Sequence, residues 1–376
     1  MMVEINIGIL DADLLDNGTR HPNLALMKLS AFNKDQGHEV KLLSTYDNIK
    51  EYDKVYLSKV FDFTKMPDIS QYNNIVLGGT GLYWDASPEL SYEVEHHMPD
   101  YHLYDEFIAN EIVRGIKRSY FLDYIDYSIG FTTRGCIRQC PFCISHDKTR
   151  VTKHSPVSEF LDTQRKYIYL WDDNFLAFSQ WEEVLDDIEG AKKPYQFRQG
   201  LDIRLMTDKK AERLAKSKYK GDFIFAFDSI EEKDLIVKKI KMWKEHYTKK
   251  GNTKLYVLCA FDKTGKYDRE FWKQDLIETF ERIKILMEYG CIPYIMRYSK
   301  YEESSYRGMY ITLARWCNQP SFFKKESLRE YVYITDGIGR EEKDYAAKRY
   351  INEFEKDYPD IAKMYYDIKY EDLKEY

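Results

Sequence analysis

At 376 residues the chain is long enough for two to three domains of roughly 150 residues each. With 44% hydrophobic and 32% charged residues it reads as a folded protein with sizeable cores, and its 57 basic and 63 acidic side chains, net −6, carry no global nucleic-acid signature. No apolar run approaches the ~20 residues of a membrane span, and Met1 to Leu10 holds only a short apolar stretch, which excludes a membrane protein, disfavours a secreted one and points to the cytoplasm.

The first third alternates strand and helix signals. Glu4–Leu10, His38–Ser44, Lys54–Ser58 and Asn74–Leu77 are short β-rich runs. Between the first two, Asn23–Gln36 carries Leu24, Leu26, Met27, Leu29 and Phe32 at helical spacing, and Gly37 stands where a helix C-terminus takes a left-handed residue. The fourth run leads into Gly78-Gly79-Thr80-Gly81. Short apolar strands separated by crossover-length segments predict a parallel, Rossmann-like sheet over residues 1–120. Residues 1–125 hold 11 basic and 20 acidic side chains, net −9, so the remainder is +3. A helix over about Tyr104–Lys117 leads into a second unit.

From Tyr127 the alternation restarts with six strands: Tyr127–Thr132, Lys166–Trp171, Tyr195–Arg198, Phe223–Phe227, Lys254–Ala260 and Pro293–Arg297. Ser155-Pro156 reads as an N-cap with proline at the first helical position, and Ser179 with Glu182 as a capping box. Gly290 ends a long amphipathic helix from about Arg269. Six β/α units fall short of the eight of a closed TIM barrel. The expectation for residues 121–320 is therefore a partial, open-sided (β/α)6 barrel, with a charged, Tyr-rich helical extension over 321–376. The fold class is α/β, with no internal repeat and no low-complexity segment.

Six cysteines are too few for a disulfide scaffold of this size. Three of them lie in Arg134-Gly135-Cys136-Ile137-Arg138-Gln139-Cys140-Pro141-Phe142-Cys143, spaced C-x3-C-x2-C just past the first strand of the second unit. Catalytic groups of β/α barrels collect at this end of the strands. Thiolates at short loop spacings suit zinc or iron–sulfur centres. Three protein ligands leave one position open for a small molecule, whereas His146 would complete a closed Cys3His zinc site. Cys259, inside a strand, reads as a buried small residue, and Cys291 and Cys317 are isolated.

With its aromatic residue before the third cysteine and its place after a first barrel strand, this motif resembles that of the radical S-adenosylmethionine (SAM) superfamily. The resemblance implies a partial (β/α)6 barrel, a [4Fe–4S] cluster on Cys136, Cys140 and Cys143, and SAM on the fourth iron. It further implies reductive cleavage of SAM to a 5′-deoxyadenosyl radical that abstracts a substrate hydrogen, with electrons from a donor such as flavodoxin or ferredoxin. Phe142 would lie on the adenine side or simply pack the loop.

On the same reading, polar residues past the strands line the pocket. Asp172, Asp173 and Asn174 follow strand two, where the family recognises the SAM amino group; they replace its common Gly-Gly-Glu and also suit an ordinary turn. Past strand three come Arg198, Gln199, Asp202 and Arg204, of which Arg204 is the best carboxylate partner unless it pairs with Asp202 or Asp228. Asp228 after strand four suits a ribose hydroxyl or a helix cap. Asp262 and Arg297 are weaker candidates.

The front domain more loosely resembles the cobalamin-binding-type domain that precedes many such barrels, through its strand–helix order, His21-Pro22-Asn23-Leu24-Ala25-Leu26, Gly37-His38-Glu39-Val40 and Gly78-Gly79. The Asp-x-His-x-x-Gly sequence that supplies a histidine to cobalt is missing, which lowers the expectation of cobalamin without removing it. No cysteine precedes Cys136, so a second cluster there is not expected. Asp11, Asp13 and Asp16 beside His21 suggest a solvated acidic loop before a contact for a cationic substrate. Residues 209–250, with 13 basic and 7 acidic side chains, read as solvated helix faces, so the substrate stays open among small molecule, peptide and nucleic acid. Rivals to the main reading are a zinc-stabilised module, a cobalamin-dependent radical methyltransferase and a cluster that only passes electrons.

Overall fold

The computed structural model of the chain describes residues 4–145, 148–249, 251–333 and 341–375. His146, the candidate fourth zinc ligand, lies outside the described residues. The architecture is mixed α/β with parallel sheets. All ten strands anticipated from the sequence are present, each end within two residues of its expected position. No helix among the described residues is long and apolar enough to cross a membrane.

The chain divides into two compact units. One comprises Met1–Gln139, Ile144–Asp173 and Gln180–Arg198; the other comprises Cys140–Cys143, Asn174–Ser179 and Gln199–Tyr376. In the first unit β1 (Asn6–Asp11), β2 (Glu39–Leu42), β3 (Lys54–Ser58) and β4 (Ile75–Gly78) pair in parallel in the order β2-β1-β3-β4. A parallel sheet needs cover on both faces, and alternation along β1 supplies it. Ile7 and Ile9 pack with Leu26, Met27, Tyr104 and Tyr124, whereas Leu10 joins Leu43, Val55 and Leu57. The Leu24–Asp35 helix is capped by the Asn23 side chain, which accepts from the Leu26 amide, and Gly37 beyond its end has φ +85°.

The expected acidic loop after β1 is a short helix, Ala12–Asn17, capped by Asp11; Asp11 and Asp13 are buried, and of the three acidic residues only Asp16 is exposed. Asp11 accepts from the Leu14 amide and the Tyr104 hydroxyl, and burial pushes its carboxyl up to about 6. Asp13 accepts from the Val60 and Phe61 amides and the Thr64 hydroxyl, and Asp16 from the Lys65 amide. Asp13 and Asp16 tie this helix to the chain leaving β3, because the paired strands bring their C-terminal ends together.

The same unit continues with β5 (Tyr127–Gly130), the two-residue β6 (Thr133–Arg134) and β7 (Thr152–Lys153), β8 (Tyr167–Leu170) and β9 (Tyr195–Phe197). Strands β5, β8 and β9 form a parallel sheet in that order, and β6 pairs antiparallel with β7. Ser155-Pro156 opens only a 3-10 turn, Val157–Glu159, without a side-chain cap; the Ser155 hydroxyl contacts His154 instead. The Ser179–Glu182 box does not form. The helix starts at Trp181 with Gln180 as its cap, so Glu182 sits at the second helical position, out of register for the reciprocal bond.

The second unit holds β10 (Phe223–Ala226), β11 (Thr253–Cys259) and β12 (Ile292–Arg297), parallel and in that order. Phe223, Phe225, Leu255, Val257, Cys259 and Ile295 are buried, while alternate residues such as Tyr294 and Met296 are exposed. Helices Asp208–Lys216, Lys233–His246 and Arg269–Glu288 follow β9, β10 and β11, the first and third capped by Thr207 and Asp268. Gly290, with φ +60°, follows the last of them as anticipated. The tail is helical over Glu341–Asp357, Pro359–Tyr365 and Tyr370–Leu373, and Tyr365 stacks on Phe280.

Candidate cysteine-loop site

The loop begins where β5 ends. Gly130 has no room for a side chain because the Phe160 ring fills the space. The β6–β7 ladder, Thr133 opposite Lys153 and Arg134 opposite Thr152, then closes the excursion that carries the cysteines. Gly135 follows with φ +96°, and a Cβ there would collide with the Arg150 carbonyl oxygen, so glycine is required on both counts. The Arg138 amide donates to Cys136 Sγ at 3.3 Å. Further on, the Cys143 amide donates to the Cys140 carbonyl at 2.9 Å, making a tight turn. Phe142 packs edge-to-face on Phe261 at 5.2 Å, just beyond the C-terminal end of β11. Its observed contact is thus loop packing.

Cys136, Cys140 and Cys143 are partly exposed, whereas Cys259, Cys291 and Cys317 are buried and burial pushes all three thiols up. An all-thiol donor set on an irregular loop, one sulfur already receiving a backbone N–H, has the chemistry of a soft metal centre held by thiolates. No group of three His, Cys, Asp or Glu side chains among the described residues is gathered for a single metal ion.

The register of β5 against β8, Gly130 opposite Leu170, carries on past the strand ends and sets Thr132 beside Asp172. Asp172 is buried. Its Oδ1 accepts from Thr132 Oγ1 (2.6 Å), the Thr133 amide (2.5 Å) and Thr133 Oγ1 (2.7 Å), and its Oδ2 from the Thr132 amide (3.2 Å). Burial outweighs these bonds and raises the carboxyl pKa. Asp173 Oδ2 accepts from the Gly135 amide at 2.7 Å and lies 3.7 Å from Arg134 Nε. Asn174 is buried and precedes the Phe175–Ala177 3-10 turn. Thr132 and Thr133 did not stand out in the sequence; the signal was the offset of Thr132 from Asp172, which equals that of the paired strands.

The remaining candidates are placed differently. Arg198 donates to the Tyr169 hydroxyl (2.9 Å) and meets His21 Nε2 (2.5 Å), while His21 Nδ1 pairs with Asp123. In the second unit Gln199 is exposed. Arg204 grips Asp202 through Nε (2.6 Å) and Nη2 (3.1 Å) and Glu232 through Nη1 (2.7 Å), so its guanidinium serves its own chain's carboxylates. Asp228 accepts from the Leu258 amide at 3.3 Å, and burial raises its carboxyl pKa. Arg282, a buried residue that sequence patterning missed, donates to the Phe227, Asp228 and Leu258 carbonyls at the ends of β10 and β11. Its only signal was a cation on the apolar face of the Arg269–Glu288 helix. Asp262 closes its own turn on Thr264 and Lys266, and Arg297 lies over the Tyr301 ring. In the basic stretch, Lys210, Lys239 and Lys244 donate to backbone carbonyls.

No protein-family model and no curated protein matches the chain. Two solved structures of the cobalamin-dependent S-adenosylmethionine radical enzyme OxsB do. The one with aqua-cobalamin bound has 15% identity and a TM-score of 0.32 over 78% of this chain and 49% of the other. The one with aqua-cobalamin and S-adenosylmethionine bound has 13% identity and a TM-score of 0.34 over 99% of this chain and 58% of the other. The chain thus spans about half the length of the solved chains it matches, and TM-scores this low carry neither activity nor site residues across.

Proposed function

We propose that the chain is a radical SAM enzyme in which Cys136, Cys140 and Cys143 hold a [4Fe–4S] cluster. The observation that carries this reading is the C-x3-C-x2-C loop itself, directly beyond the C-terminal end of β5 and with three partly exposed thiols, while the other three cysteines are buried. With its fourth iron left to SAM, the bound cluster would supply the electron that splits the sulfonium and yields a hydrogen-abstracting 5′-deoxyadenosyl radical. The proposed arrangement is a Rossmann-like domain over 1–120, a partial (β/α)6 barrel over 121–320 and a helical extension over 321–376.

The chain's own residues have separable tasks. Thr132, Thr133 and Gly135 shape the base of the loop, and Asp172 and Asp173 hold it. With Asp172 engaged by four protein donors, polar recognition of SAM falls mainly to Asn174, Gln199 and Asp228, and Phe142 flanks the adenine. Arg204 is committed to Asp202 and Glu232 and orders that strand end. The front sheet acts as scaffold or substrate cap, and a flavodoxin or ferredoxin in the cytoplasm would supply electrons.

Anaerobic reconstitution with iron and sulfide tests the reading. The expected result is a brown protein with about four irons per chain that releases 5′-deoxyadenosine from SAM under dithionite, with both properties lost in Cys140→Ala. A colourless protein holding stoichiometric zinc would overturn it. Retention of cobalamin on anaerobic purification would overturn the scaffold role of the front sheet.

A further inference from the structure

We infer that Asp172 and Asp173 are positioning residues for Cys136, a two-carboxyl clasp that sets the base of the cysteine loop before any metal centre is assembled. A carboxyl group offers about four lone-pair sites, and Asp172 already receives four donors from Thr132 and Thr133. Three of them crowd Oδ1 and one meets Oδ2, so at most one acceptor site, on Oδ2, is left over for a ligand. Asp173 adds the Gly135 amide, so the two side chains fix three of the four consecutive backbone amides from Thr132 to Gly135. Cys136 is the next residue.

Three further constraints act on the same short segment. The β6–β7 ladder holds Thr133 and Arg134. The His154 amide donates to the Thr132 carbonyl at 2.9 Å. Gly135 turns with a left-handed φ under the Arg150 carbonyl, so no side chain fits there. Hydrogen bonds in so dry a place are strong, and leaving any one of them unmade is costly. The direction in which Cys136 leaves the sheet is therefore dictated by the pairing of β5 with β8, carried past the strand ends by the clasp.

The inference deepens the cluster reading and rests on it only for the iron measurement. The experiment compares wild type with Asp172→Asn, Asp173→Ala and Asp173→Asn, and uses Asp68→Asn, at an exposed turn, as a control. Asparagine at 172 offers one acceptor oxygen where the Thr132 and Thr133 amides need two. In the cluster-free protein, hydrogen exchange at Thr132 and Thr133 should rise ~10-fold or more in Asp172→Asn, and Gly135 should follow in Asp173→Ala. Alkylation mapped by mass spectrometry should change at Cys136 and stay as in wild type at Cys140 and Cys143.

After anaerobic reconstitution, Asp172→Asn and Asp173→Ala should hold clearly less iron per chain than wild type. Asp173→Asn keeps an oxygen for the Gly135 amide and should recover most of the iron. Wild-type exchange and Cys136 reactivity in both folded variants would overturn the clasp. So would full iron loading with weakened SAM binding, which would make these residues ligand contacts. If Asp172→Asn does not fold, the half-buried Asp173 decides. A wild type that takes up no iron–sulfur centre would end the cluster reading, yet exchange and alkylation would still decide the clasp.

Discussion

Acidic strand ends settle differently in the two units. Beyond β8, Asp172 meets only uncharged donors, the amides and hydroxyls of Thr132 and Thr133, and the cost of burial raises its carboxyl pKa. Beyond β9, Asp202 receives a guanidinium. Burial works to lower the Arg204 pKa, and Asp202 and Glu232 overcome it and hold the cation firmly charged. The first arrangement fixes a backbone path. The second neutralises charge locally and leaves the backbone to the 3-10 turn Ile203–Leu205, which Asp202 also caps. The same residue type beyond two strand ends thus does different work, according to whether the neighbours bring amides or cations.

Substitutions can break this contrast. The largest effect is expected for Asp172→Ala, which strands two buried amides and two hydroxyls and should cost about 4 kcal/mol in urea denaturation, near the upper range for one substitution. A carboxyl raised by burial sharpens the point at Asp11, whose pKa of about 6 lies above its ordinary 3.8. Its contribution to stability is full below about pH 4 and is lost as pH rises through about 6, at most about 3 kcal/mol. The Asp11→Asn variant should lack that decline, measured as urea midpoints between pH 4 and 7. Gly135→Ala forces a Cβ against the Arg150 carbonyl at positive φ and should cost about 2 kcal/mol, again by denaturation. The smallest effect is expected for Arg204→Met. The guanidinium and Asp202 are largely buried, but Asp202 keeps the Arg204 amide as a donor and Glu232 is partly exposed, so about 1 kcal/mol is lost, and a loss as large as that of Asp172→Ala would erase the distinction between the two regions.

The strands were legible because period-two apolar runs and their spacing are local properties of the chain, and so was the position of Cys136–Cys143 just past β5. Gly37 and Gly290 announced helix ends through a backbone need that any observer of sequence can apply. The roles of charged side chains were less visible. Arg204 stood between a ligand carboxylate and an ion pair with Asp202 or Asp228; it pairs with Asp202 and, in place of Asp228, with Glu232, 28 positions away. The Ser179–Glu182 box failed by a single residue of helix start. Asp13 looked like part of an acidic surface and is the acceptor for three groups of the chain leaving β3.

What the sequence by itself determined, then, is the alternation of strand and helix, the thiol spacing and the glycine that must precede it, because each depends on bonds and torsions within a few residues. Only the tertiary structure decided which oxygens are filled by the protein. That outcome depends on the register of strands joined by about 40 intervening residues. Register brings donors of one segment onto acceptors of another, and once they are out of water their pairing is fixed by distance and desolvation, quantities no local pattern encodes.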